Sequence, residues 1–305
     1  MINYPDFTIT WLIDGLGNAE GLWHNRFNQP EKPWTMTDPQ PAYPIDARQP
    51  GLHLVYAAAD LPIADIRIPK WAAPDTLSLE WKQLDPLRCL GKISLDEHTL
   101  LVAGLAAPLP LEVIDRTIMV SPWGAQIKAA MRQHRVHLSL LYGGGHPDPI
   151  EQMVALYKTA LLFVNEDLLG IVNANAWTAH PPADYVSLEN IDRFRREIPF
   201  SLWFGYVRFY TDHEAYWLVT KGHHIFDVPD LAYFVQPGED ADAIINLFIN
   251  LFYYLYEEDV EVIAGDTLAL QGVRDKLVFK EVPELTEDLM GPAGTLVIAR
   301  ETSTD

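Results

Sequence analysis

The sequence predicts an α+β fold of mixed, largely antiparallel sheets covered on one side by helices. Three observations carry that expectation. Short β-branched and aromatic runs follow one another at hairpin spacing, among them Leu52–Ala57, Leu77–Leu84 and Ala215–Thr220. Two isolated segments, opening at Asp148 and Asp240, keep helical periodicity. Strands and helices never alternate as regular βαβ units. An arrangement as two related α/β halves packed together stays open, with residues 1–132 as an N-terminal half holding a Pro-rich loop at 29–50, and residues 133–305 as a C-terminal half with an acidic last third.

The first expected strand is Phe7–Ile13, which stops at Asp14-Gly15, and a short helix follows over 18–27. Six prolines between Gln29 and Pro50 exclude ladder and helix alike, so an irregular segment is expected there. Strands then follow at Leu52–Ala57, Ala64–Ile68 and Leu77–Leu84, and the apolar run Thr99–Leu105 is a buried strand. Leu111–Arg135 is helical, with a break near Ser121-Pro122-Trp123-Gly124. Val136–Tyr142 alternates as a strand and runs through Gly143-Gly144-Gly145 into a helix. Asp148 is the N-cap of that helix, Pro149 its first position, and Glu151 closes a capping box.

Leu168–Val172 is the next strand, Leu188–Ile198 a charged surface helix, and Phe200–Tyr210 with Ala215–Thr220 a hairpin about Thr211-Asp212-His213. The second strong helix starts behind Glu239-Asp240, whose charges suit a helix N-terminus. Its stripe of Ile244, Leu247, Phe248, Leu251, Phe252 and Leu255 is core. Thr267–Leu270, Lys276–Phe279 and Thr295–Ala299 close the fold as strands.

At 305 residues and 49% hydrophobic content the chain can bury a real core, in one large domain or two modest ones. Met1–Asp6 shows no basic start or apolar run, so no secretory leader is expected. The most apolar stretch, Ile244–Tyr256, is interrupted by Asn246 and Asn250 and is too short to span a bilayer. Cys89 is the single cysteine, which excludes an internal disulfide and a thiolate-rich metal site and fits a reducing cytoplasm. It reads as a small hydrophobe.

The net charge of −20 is concentrated: residues 222–305 hold 17 acidic and 4 basic side chains, a net −13. Such a field repels polyanions and disfavours DNA, RNA and anionic membranes as partners. It fits a basic protein partner, or mimicry of nucleic acid toward a nuclease. The plain alternative is a solvated acidic face that confers solubility.

No recognised catalytic or cofactor motif is present. The triple glycine invites a phosphate-cradle reading, yet neither GxxxxGK[ST] nor GxGxxG occurs, and Asp148 already brings a negative charge to the helix start. A flexible turn is the simpler reading. The ten histidines show no HExxH spacing, so neither a metal site nor any other cofactor is expected. No GxSxG elbow is present to activate a serine. The polar and aromatic grouping Asn173–Trp177 with His180, set after a strand, could line a cleft with His146; equally, the asparagines could serve only turn backbone. The candidate catalytic residues are His146, Asn175, His180 and His223, should they converge in space.

From Arg135 to about Val235 the chain resembles a bacterial family designated domain of unknown function 4261. The matching features are His137-Leu138-Ser139-Leu140, Leu168-Leu169-Gly170-Ile171, Ala176-Trp177, Leu202–Tyr206, Leu218–Gly222 and Phe226–Leu231, with a looser upstream likeness at Ala106–Pro110 and Trp123. His223-His224 stands where the family more often has a plain apolar-polar pair. The resemblance implies a fold and a bacterial cytoplasmic setting, and it carries no activity. The leading functional expectation is a non-catalytic protein-interaction module, of the inhibitor or immunity kind. The alternative is a hydrolase or metal-dependent enzyme, and a further option is a subunit completed by a second copy of itself.

Overall fold

The hairpin spacing of the apolar runs is realised as two largely antiparallel sheets in the computed structural model, which describes residues 49–63, 66, 76–186, 191–211, 214–258, 260–269, 276–283 and 287–301. The strand expected at 7–13, the helix at 18–27, nearly all of the Pro-rich segment and most of the strand at 64–68 lie outside the described residues.

The first sheet has seven strands: β1 (Gly51–Tyr56), β2 (Leu77–Asp85), β3 (Arg88–Leu95), β4 (His98–Leu105), β5 (Val136–Gly144), β6 (Leu168–Asn173) and β7 (Thr178–His180). Their order is β2-β3-β4-β5-β1-β6-β7, every neighbour antiparallel. β1 lies between β5 and β6, with Leu54 opposite both Leu138 and Ile171. This sheet therefore takes β1–β4 from before residue 132 and β5–β7 from after it. The sequence reading passed over β3, where Gly91 and Lys92 interrupt the apolar run. Its tight turn onto β4 sets Asp96 at φ 52, in the left-handed region.

Helices cover both faces of this sheet, not the one side expected. Leu52, Leu54 and Tyr56 point into the main core with α3 (Pro149–Leu161), whereas Val55 and Val172 pack against Ile114, Ile118 and Met131. Those three residues belong to α1 (Leu111–Val120) and α2 (Ala125–Arg132). Strands apolar on both faces need a cover on both. The predicted break at Pro122 and Gly124 separates the two helices. Ser121 ties the joint down: its hydroxyl donates to the Thr117 carbonyl at 2.7 Å and accepts from the Ala179 amide of β7 at 3.0 Å.

After β7 come two short helical turns, α4 (Ala183–Val186) and α5 (Phe200–Trp203), on either side of a 3-10 turn at Ile191–Arg195. The charged helix expected at 188–198 is thus a 3-10 turn where it is described. Its buried Ile191 and Phe194 anchor it.

The second sheet runs β11-β12-β13-β10-β9-β8. It comprises β8 (Gly205–Tyr210), β9 (Tyr216–Lys221), β10 (Asp230–Val235), β11 (Thr267–Ala269), β12 (Lys276–Lys280) and β13 (Thr295–Glu301). All pairs are antiparallel except β10 with β13. α6 (Ala241–Glu257) buries the predicted stripe, Ile244, Leu247, Phe248, Leu251, Phe252 and Leu255. One apolar core joins the sheets through α3 and α6. Its aromatic centre is Phe252, with ring centroids 5.5 Å from Phe200, 4.9 Å from Phe204 and 5.4 Å from Phe226.

Candidate interaction groove

The acidic third of the sequence forms a groove of about 1050 Å³. Its floor and sides come from the 3-10 turn His223–Phe226, the end of α6, the loop at 260–264 and the segment leading into β13. The charged side chains lining it are Asp227, Glu261 and Glu281, and no Lys or Arg joins them among the described residues. Val228, Leu255, Val262 and Val282 supply apolar wall. Ile263 is 63% and Met290 50% exposed, so both offer apolar surface at the groove. The shape follows from the local sequence: the 3-10 turn ends on Asp227 at φ 56, which turns the chain sharply into β10. At the lip, the Tyr256 hydroxyl donates to Asp148 Oδ1 at 3.0 Å, coupling α6 to the cap of α3. Burial, reinforced by that carboxylate, raises the phenol's pKa.

One wall is tied from behind by a buried cation. Lys221, at the end of β9, is 2% exposed, and its Nζ donates to the carbonyls of Asp288, Leu289 and Met290 at 3.2, 3.0 and 3.0 Å. All three ammonium protons are used. Thr295 Oγ1 donates to the Leu289 carbonyl at 2.9 Å and accepts the Gly291 amide at 2.9 Å. Asp230 lies beneath the same segment, where a Cβ at Gly291 would collide with its Oδ2. Asp230 Oδ1 accepts the His223 amide at 3.3 Å, and Oδ2 has no hydrogen-bond partner among the described residues. Burial, against the pull of Lys221, pushes the Asp230 carboxyl up to about 7 and lowers the Lys221 ammonium.

No family model, curated protein or solved structure matches this chain.

The four sequence candidates fall in four surroundings. His146 stands on the β5–α3 turn: its amide donates to the Tyr142 hydroxyl at 2.8 Å and its Nδ1 accepts the Asp148 amide at 3.1 Å. That bond replaces the return half of the expected capping box, and Glu151 instead pairs with Arg195 at 2.6 Å. Asn175 sits in the β6–β7 turn, donating to the Gln49 carbonyl at 3.0 Å. His180 faces Asp184, Nδ1 to Oδ2 3.4 Å, and lies edge-on to Trp123; it lines a separate cavity of about 580 Å³. His223 is buried against Phe204 and Phe252 at 4.9 and 5.0 Å, and burial depresses its pKa to about 3.

None of the four has another as a contact partner, and no group of three His, Cys, Asp or Glu could hold a metal among the described residues. Of the three glycines, Gly143 and Gly144 end β5, and Gly145, at φ 117 just beyond it, leaves no room for a Cβ beside the Glu97 carbonyl of the β3–β4 turn. Two further histidines, His53 and His137, sit 6.4 Å apart inside the first sheet, pushed down to about 3 and about 4, chiefly by burial.

Sequence reasoning missed Lys221 and Asp230. The available signal was a lone Lys closing an otherwise apolar strand and a lone Asp opening the next one after Pro229. Charged residues at strand ends are usually solvated, so neither stands out until β9 and β10 are known to be interior strands of their sheet.

Proposed function

We propose that this chain is a non-catalytic protein-interaction module of the inhibitor or immunity kind, and that its groove takes a basic, apolar-anchored segment of a partner protein. The observation that carries the reading is the coincidence of a groove of about 1050 Å³ with the acidic third of the sequence: apolar walls, exposed Ile263 and Met290, and Asp227, Glu261 and Glu281 as the lining charges. Apolar anchors supply contact energy at such surfaces, and the carboxylates add steering and select the sign of the partner. The likeness of residues 135–235 to the bacterial family 4261 supports a bacterial cytoplasmic setting and belongs to the proposal. No helix among the described residues is long and apolar enough to cross a membrane.

The test is fluorescence anisotropy with a labelled extended peptide of alternating Lys and Leu, against the same peptide with Glu for Lys. Saturable binding of the basic peptide alone is expected, weakening as salt rises and falling about tenfold in the Glu261→Lys, Glu281→Lys double variant, roughly 1.4 kcal/mol. Equal binding by parent and double variant contradicts the assignment.

A hydrolytic reading has one specific observation behind it, the His180–Asp184 pair beside a cavity that Ser201, Tyr206 and Arg208 also line. A panel of ester and amide substrates tests it. Turnover by the parent that His180→Ala abolishes would move the assignment to that cavity.

A further inference from the structure

Met290 borders the groove and also a second, smaller cavity of about 260 Å³, lined in addition by Arg116, Asn175, Trp177, Lys221, His224 and Pro292. In a chain with a net charge of −20, this cavity has two cations and no carboxylate in its described lining. Both cations lie against one indole: the Trp177 centroid is 4.8 Å from Lys221 Nζ and 5.0 Å from Arg116 Cζ. The indole is held there by a turn that sets Trp177 at φ 54, a backbone conformation bulky residues rarely adopt.

The two cations differ in what they can offer. The three protons of Lys221 are consumed by the carbonyls of residues 288–290, so it contributes charge without a spare donor. Arg116 lies exposed on α1, stacked on Trp177, with no carboxylate partner among the described residues. Its guanidinium edge is the planar two-donor fork in the cavity lining. The carboxylates that act on Lys221 are Asp230 and Asp288, and neither lines the cavity. Burial favours the neutral form of Asp230 and so weakens its share of that compensation near neutral pH.

We propose that this cavity binds a small organic monocarboxylate, gripped two-pronged by Arg116 in the field of Lys221, with its apolar body against Met290, Pro292 and the Trp177 ring. One planar fork matches the two oxygens of a carboxylate. A phosphate dianion would need further donors, and Lys221 has none to give. The proposal stands apart from the groove and from its partner.

The experiment follows the Trp177 indole N–H resonance of the isotope-labelled full chain during titration with sodium benzoate, and in parallel with inorganic phosphate. A saturable shift with benzoate is expected, with affinity falling about tenfold in Arg116→Gln, the loss of one charge-assisted fork. Arg116→Lys, which keeps the charge and loses the fork, should also bind more weakly than the parent. Arg116 is solvent-exposed, so both variants should melt with the parent. Equal benzoate affinity in the parent and Arg116→Gln, no saturation, or phosphate binding as tightly as benzoate would each overturn the proposal.

Discussion

Asp230 is a carboxyl whose folded pKa, about 7, lies above the ordinary value of 3.8 because burial penalises its charge. A group raised in this way adds stability that is complete below the unfolded pKa and is lost as pH climbs through the folded one. Its contribution is therefore full below about pH 4 and gone above about pH 7. Asp230→Asn should flatten that part of the stability profile, measured as thermal midpoints across pH at constant ionic strength; a parent-like slope would show that Asp230 ionises freely in the fold. His223 has the opposite sign. Its pKa is depressed from 6.5 to about 3, so the stability of its neutral form is present above 6.5 and is lost as pH falls toward 3. His223→Phe, set among Phe204 and Phe252, should reduce the acid-side loss in the same melts. Neither residue advertises this in the sequence, because the shift comes from burial that only the assembled sheets and α6 create.

Among the elements, α3 shows what local sequence settles and what it leaves to tertiary contacts. The Asp148 cap was readable in advance, and its Oδ1 does accept the Ile150 amide at 2.8 Å. The same oxygen also accepts from Tyr256 on α6, 108 residues away, which no local pattern announces. Asp148→Ala should then cost more than an isolated cap, about 2 kcal/mol from cap and hydrogen bond together. Tyr256→Phe, which spares the cap, should cost about 1 kcal/mol. Denaturant melts of both variants check this, and a Tyr256→Phe variant as stable as the parent would mean that the link between α3 and α6 contributes nothing. The stripe of α6 was legible to the residue because six large apolar side chains hold one helical face. β3, β7 and β10 were not. Gly91 and Lys92 mask β3, β7 has only three residues, and β10 opens on a charged residue whose burial depends on pairing with β9 and β13.

For the molecule as a whole, composition anticipated the class of fold and the place where charge collects, but not the architecture. Two sheets share one apolar core, and helices lie on both faces of the first. The groove could be anticipated only as an acidic third of the chain. Its walls need Lys221 to gather the carbonyls of residues 288–290, which lie 67 to 69 positions further along the chain. The central claim is that this groove takes a basic partner. Its most direct test is affinity capture from the protein's own cells, run side by side with the tagged parent and the tagged Glu261→Lys, Glu281→Lys variant, with mass spectrometry on both eluates. The account predicts a stoichiometric basic protein retained by the parent at low salt, released as salt rises and absent from the variant. Identical proteins in the two eluates, or none in either, would contradict it.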